Sequence, residues 1–285
     1  MIPLTVAEVA AAVGGQPVDG ADPAALVTSV VVDSRRAAPG ALFVALPGER
    51  ADGHDFAPAA ASAGAVAALA ARPVGVPAVV VPDPATALAA LAAHVRDRAA
   101  ATVVGVTGSS GKTTTKDLLA DLLAALGPTT AAPGSFNNEI GLPLTLLQVE
   151  PDTSFAVVEM GARGIGHIAT LAALARPHVG CVLNVGSAHV GEYPDGRMGI
   201  AAAKGELAEA ASDLVVLNAD DPLVAAMADR ASAEVVTFGE HPKADVRAER
   251  VEVDGTGRAS FDLLADGRRH RVRLGLVGAH QVANA

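Results

Sequence analysis

The residues whose types and spacing carry the clearest chemistry form one run, Val103-Val104-Gly105-Val106-Thr107-Gly108-Ser109-Ser110-Gly111-Lys112-Thr113-Thr114-Thr115-Lys116. An apolar stretch enters a turn of small residues, and Lys-Thr then opens a helical pattern. Small side chains let backbone amides turn inward on phosphate oxygens, and the helix start adds the positive end of its dipole. In such a loop Lys112 reaches the terminal phosphates and the Thr113 hydroxyl ligates Mg²⁺, while Thr107, Gly108, Ser109, Ser110, Gly111 and Thr114 line the nucleotide. The general pattern has Gly at the position of Val106; here Gly108 stands instead, which makes the loop a shortened variant. The expected occupant is a mononucleotide triphosphate, ATP.

A phosphate loop of this kind needs a carboxylate for its metal, usually at the end of a neighbouring apolar strand. Phe155-Ala156-Val157-Val158-Glu159-Met160-Gly161 supplies Glu159, an oxygen ligand of the type Mg²⁺ prefers. His189 follows another apolar run, where ligands of open α/β sheets gather, although its spacing alone reads as a loop histidine. Lys204, by itself, reads as a solvated helix lysine. His54, His94, His167, His178, His241 and His270 form no constellation. Neither a Ser-His-Asp nor a Cys-His arrangement is visible, and spaced Cys/His zinc ligands are absent. The chemistry falls to ATP, magnesium and positioning.

These groups must be held by an α/β scaffold. From Thr102 onward, apolar runs at Thr102–Val106, Phe155–Val158, Val179–Val185, Leu214–Leu217 and Val235–Phe238 alternate with helical stretches such as Lys112–Leu126 and Ile165–Ala175. Continuous apolar strands separated by helices predict a mostly parallel sheet covered on both faces. Residues 245–276 alternate and carry two Asp-Gly pairs, which predicts antiparallel hairpins appended to that sheet. Before Thr102 the pattern predicts a smaller α/β unit: a helix at 4–13, strands at Val27–Val32 and Leu42–Leu46, an Ala-rich helix over Ala57–Ala71, and a strand at Ala78–Val81. A further helix, Ala85–Ala99, reads as a connector. The expected division is residues 1–83 and 84–285. The last residues, Gly278 to Ala285, read as a turn opening a helix, and a truncated chain is expected there.

With 51% hydrophobic and 18% charged residues, the 285-residue chain has ample core for two domains. A net charge of -10 argues against nucleic acid and anionic membrane as partners. The N-terminus lacks the features of a signal peptide, and the greasy stretch Phe56–Val81 is interrupted by prolines and an arginine. The single cysteine, Cys181, lies in an apolar run and reads as a packed thiol suited to a reducing compartment. A cytoplasmic monomer is expected.

Thr107–Lys116 also resembles the shortened nucleotide loop of the Mur ligases. The resemblance continues through Phe136-Asn137-Asn138-Glu139-Ile140-Gly141-Leu142-Pro143, Glu159-Met160-Gly161-Ala162, Asn184-Val185-Gly186-Ser187-Ala188-His189 and Ala203-Lys204-Gly205-Glu206. In the first unit, Asp33-Ser34-Arg35 and the run Gly40 to His54 resemble the family's uridine-nucleotide-binding domain. The Phe-Asn-Asn-Glu-Ile-Gly-Leu-Pro run is similar to that of the branch adding D-alanyl-D-alanine to UDP-N-acetylmuramoyl-tripeptide. The resemblance implies a UDP-precursor-binding first domain and an ATP-binding central domain. It also implies an ATP-dependent ligase of peptidoglycan precursor synthesis that works through an acyl phosphate.

The same resemblance implies roles at matching positions. Thr113 and Glu159 hold one Mg²⁺ and His189 a second, with Lys204 carbamylated by CO₂ into an anionic metal ligand. Asn137 and Asn138 face the phosphates and the acceptor, Ser34 and Arg35 face the uridine diphosphate, and Asn284 lies near the adenine. Gln281 stands where the family has its first Asn. Other readings are a sister ligase adding the third residue, a folylpolyglutamate-synthase-like protein, a P-loop phosphotransferase or transport ATPase, and a non-catalytic module that binds the UDP-precursor.

Overall fold

The computed structural model describes residues 1–48, 51–187 and 190–285. The chain divides into two compact units, Met1–Ala101 with Glu139–Thr153, and Thr102–Asn138 with Ser154–Ala285. The first division therefore falls at Ala101, not at Asp83, because the helix Pro84–Arg98 is no free connector. Asp83 caps it, accepting from Ala85 N at 3.2 Å and Thr86 N at 3.0 Å, and Pro84 occupies the first turn. Its buried residues Ala87, Leu88, Leu91, Ala92 and Val95 fall on one helical face. That face packs against the helices Val6–Val13 and Gly141–Leu146, so the returning segment 139–153 completes the first unit's core.

The first unit is built on a five-stranded sheet. Strands Ser29–Val31, Ala41–Val44, Ala67–Ala70 and Ala78–Val80 run parallel, and Gln16–Val18 closes one edge antiparallel. The expected Ala-rich helix stops at Ser62, and Ala67–Ala70 is a central strand. Alanine's helix propensity loses here to tertiary burial: all four strand residues are buried, with hydrogen-bonded strands on both sides. Gly64 makes the reversal possible, since its φ of +107° is a conformation that alanine resists. The expected helix at 4–13 begins at Val6, after a capping box in which Thr5 Oγ1 accepts from Glu8 N and Glu8 accepts from Thr5 N.

The second unit carries a nine-stranded sheet. Its parallel part runs, in spatial order, Thr129–Ala131, Phe155–Glu159, Thr102–Thr107, Val179–Val182, Leu214–Asn218, Glu234–Gly239 and Val246–Val253. Arg258–Ala265 and Arg268–Val277 then add antiparallel hairpins, as the alternating pattern predicts. Strand Thr102–Thr107 lies centrally, between Phe155–Glu159 and Val179–Val182. This places the carboxyl ends of three parallel strands side by side. Val179–Val182 is shorter than the apolar run suggests, because Asn184 turns its backbone carbonyl to Ser109 N and Val185 turns its amide to Asp221. Among the described residues no helix is long and apolar enough to cross a membrane.

Candidate nucleotide and metal site

The buried strand Thr102–Thr107 ends in the loop 108–111, and helix Lys112–Ala124 begins at once. Gly111 has φ +82°, a left-handed conformation that favours glycine, and a Cβ there would displace the Asn284 side-chain amide. The first intrahelical bond is Thr115 N to the Gly111 carbonyl at 2.9 Å. The amides of Lys112, Thr113 and Thr114 thus sit in the first turn with no acceptor one turn back, which is the anion-binding end of the helix. Lys112 Nζ donates to the Gly108 carbonyl at 2.9 Å. Burial lowers its pKa, while the charge of Glu159 acts in the opposite sense.

The loop is held from behind by residues that sequence reading gave no site role. Asn184 Oδ1 accepts from both Ser109 N and Ser110 N at 3.0 Å, and its Nδ2 donates to the Ser110 carbonyl at 3.1 Å. Gly186 N donates to Ser109 Oγ at 2.9 Å, and the buried Thr107 hydroxyl donates to the Met160 carbonyl at 2.9 Å. Thr107, Ser109 and Ser110 are therefore tied into the loop by protein partners, whereas the helix-start amides form an end suited to an anion. Asn184 lies two residues past the strand Val179–Val182, in the loop beyond its carboxyl end.

Glu159 ends its strand in register with Val106 and is only 2% exposed. Thr113 Oγ1 donates to Glu159 Oε2 at 2.8 Å, and Ser135 Oγ donates to Oε1 at 2.9 Å. Asn137 Nδ2 donates to Oε1 at 2.7 Å, and the Thr113 and Ser135 hydroxyls lie 3.1 Å apart. The structure thus brings Thr113, Glu159 and Asn137 together and adds Ser135, which the motif reading passed over. A buried carboxylate ringed by two hydroxyls and an amide is an oxygen-rich set suited to a hard divalent ion. Among the described residues no group of three or more His, Cys, Asp and Glu side chains is placed to hold a metal.

Lys204 lies in the helix Arg197–Ala210 and is 5% exposed, not a solvated lysine. Burial first, and the charge of Lys112 second, lower its pKa to about 8. Two residues on, Glu206 caps another helix, accepting from Gly166 N at 2.6 Å and Ala169 N at 2.8 Å. His189 lies outside the described residues, as do Ala188, Glu49 and Arg50. Asn284 donates its amide to Gln281 Oε1 at 2.8 Å, and its carbonyl accepts from Thr115 Oγ1 at 3.2 Å. It therefore stands at the start of the nucleotide helix, with Gln281 fixing its orientation. In the first unit, Asp33 caps the turn Ser34–Arg36 and grips the exposed Arg35 guanidinium through Nε at 2.9 Å and Nη2 at 2.6 Å.

The remaining titratable groups have other work. His54 Nε2 accepts from Ala71 N at 2.8 Å and His178 Nδ1 from Val103 N at 2.9 Å, so both are backbone-satisfied. Cys181 lines an apolar cavity of about 250 Å³ with Val104, Leu119 and Phe238, and burial pushes its thiol up to about 12. It is a packed thiol.

Comparison with known proteins places these motifs. Residues 106–285 match the Mur ligase middle domain, and residues 26–101 match the Mur ligase family catalytic domain. The UDP-N-acetylmuramoyl-tripeptide--D-alanyl-D-alanine ligase of Mycobacterium tuberculosis (strain ATCC 25618 / H37Rv) is 48% identical over all of this chain, which spans 62% of that protein's length. A crystal structure of MurF from Acinetobacter baumannii superposes with a TM-score of 0.88 at 33% identity, covering 99% of this chain and 62% of that one. MurF ligase from Thermotoga maritima, solved in complex with ADP, gives a TM-score of 0.77 at 33% identity over 90% of this chain and 61% of that one. On its own loops and strand ends, and on a match that takes in more than half its length, the chain belongs to the Mur ligase family.

Proposed function

We propose that this chain carries the nucleotide- and UDP-precursor-binding parts of a cytoplasmic ATP-dependent ligase joining D-alanyl-D-alanine to UDP-N-acetylmuramoyl-tripeptide. The observation that carries the reading is the buried Glu159 carboxylate, ringed by Thr113, Ser135 and Asn137 beside the phosphate loop. The relatives named for this reaction, similar over the whole chain, favour the D-alanyl-D-alanine acceptor branch over a sister ligase.

In this reading the helix-start amides and Lys112 hold the β and γ phosphates of ATP. Thr113 and Glu159 would hold Mg²⁺, which when bound would offset the negative charge that the carboxylate and the γ-phosphate bring together. The terminal carboxylate of the tripeptide attacks the γ-phosphorus, the bond to the β-γ bridging oxygen breaks, and ADP leaves. The amine of D-alanyl-D-alanine then attacks the acyl carbon. Inorganic phosphate leaves with the former carboxylate oxygen, and the amine gives up a proton as the amide forms. Asn137 orients Glu159, and Asn138, which follows it, faces the acceptor. Ser34 and Arg35 meet the uridine diphosphate.

Lys204 serves as a second anionic group after carbamylation. That reaction needs a neutral amine, which attacks CO₂ and loses a proton. Burial and the nearby Lys112 charge lower the Lys204 pKa to about 8, so the neutral form is accessible near physiological pH. A second ion held by His189 and the Lys204 carbamate belongs to the same reading.

The test is mass spectrometry of a reaction holding UDP-N-acetylmuramoyl-tripeptide, D-alanyl-D-alanine, ATP and Mg²⁺. It is run with this chain and with a fusion carrying the remaining C-terminal portion of the M. tuberculosis relative. Pentapeptide product from either protein supports the assignment. Binding of the UDP-precursor by both, with no product from either, overturns ligation in favour of a binding module.

A further inference from the structure

Lys116 is 1% exposed, which is unusual for a lysine and costly unless its ammonium is well partnered. It lies one helical turn beyond Thr113, on the same face of the nucleotide helix. Its Nζ donates to the carbonyls of Ala132 and Gly134, the latter at 3.1 Å, and pairs with Asp117 Oδ1 at 2.7 Å. Those carbonyls follow Thr129–Ala131, the edge strand of the sheet, at the point where the ladder ends. The next residue is Ser135, whose hydroxyl meets both Thr113 and Glu159.

The loop 132–135 is thus clipped to one helix face at two levels, by Lys116 behind and by Thr113 in front. We propose that Lys116 is a positioning residue for the metal-ligating carboxylate, acting through Ser135. By fixing the carbonyls on either side of the Pro133 turn, it sets where the serine hydroxyl stands and so which way Glu159 Oε1 points. Ser135 is exposed, so solvent competes for its hydroxyl, and without a fixed backbone its hydrogen bond to Glu159 would be one of several rotamer choices. The inference rests on the assignment of Thr113 and Glu159 as Mg²⁺ ligands.

The readout is the factor by which Mg²⁺ tightens ADP binding, measured by calorimetry in Mg²⁺ and in EDTA. In the unaltered chain this factor exceeds one; a factor of one overturns the metal assignment itself, and with it this inference. Given a factor above one, Lys116→Met and Ser135→Ala are each expected to cut it about tenfold, while ADP affinity in EDTA stays within about twofold of the original. The double variant is expected to lose no more than either single variant, because the two side chains act in series. A purely structural lysine would lower the melting temperature and leave the Mg²⁺ factor untouched, and that result overturns the proposal. Should Lys116→Met fail to fold, Ser135→Ala at its exposed position decides: an unchanged Mg²⁺ factor there overturns the proposal equally.

Discussion

The turn at Asp33 and the cluster around Glu159 are both carboxylates gripped by hydrogen-bond donors, yet they are made in opposite ways. Asp33 gathers its partners from two residues away: Arg35 supplies the amide at 3.0 Å and the guanidinium as well. Those bonds hold its pKa down to about 2, but the arginine is 87% exposed and solvent screens the pair. Glu159 gathers partners from 22, 24 and 46 residues away, on a helix start and a loop, and is nearly inaccessible. A local device orients one flexible side chain. A non-local device exists only when the whole second unit is folded, and it ties the carboxylate's orientation to the sheet.

The largest effect that would test this contrast is on chemistry. Lys112→Ala and Glu159→Ala should each lower pentapeptide formation by about a thousandfold or more, with the far-ultraviolet circular dichroism spectrum retained. Near-normal turnover in either would remove the Glu159 cluster from the reaction.

Next comes Lys204, whose folded pKa of about 8 lies below its ordinary 10.5. Between those values the unfolded chain binds more protons, so stability rises with pH from about 8 to about 10.5, and the full penalty is present below 8. Lys204→Met in CO₂-free buffer should therefore be more stable than the original at pH 7, by on the order of 2 kcal/mol. Its advantage should fade as the pH passes 8, as read by urea denaturation. Lys204→Ala should be inactive and partly rescued by short carboxylic acids.

Smaller still is the loss from Glu206→Ala, which strips an acceptor from two amides at a helix start. About 1–3 kcal/mol of stability should go, with the Mg²⁺ dependence of ADP binding unchanged. At the small end, Arg35→Ala should leave the melting temperature unaltered while weakening UDP-precursor binding. A clear drop in melting temperature would mean that the exposed turn is as integral as the buried cluster.

The same contrast explains what could be read from the sequence. Lys112, Thr113 and Glu159 announce themselves because each stands at a strand-to-helix or strand-to-loop junction that local patterning marks. Ser135 and Asn184 carry no such mark, since their partners are fixed only when loops from different strand ends meet. Lys204 reads as solvated because one residue cannot reveal what packs over it. In the fold, the parallel sheet and its hairpins follow from runs of apolar residues and Asp-Gly turns. Ala67–Ala70 misleads because alanine favours helix intrinsically, and only its two flanking strands make it β.

The return of residues 139–153 to the first unit carries a consequence for how the molecule is made. A ribosome finishing residue 101 has not finished a unit: the apolar face of Pro84–Arg98 still awaits the helix Gly141–Leu146, and Ile2 N still awaits the Val149 carbonyl, which it meets at 2.8 Å. The phosphate loop is translated inside that interval. The two units are consequently threaded through one another in synthesis order, and a gene cut at the apparent boundary would yield two halves, one of them missing a wall of its own core.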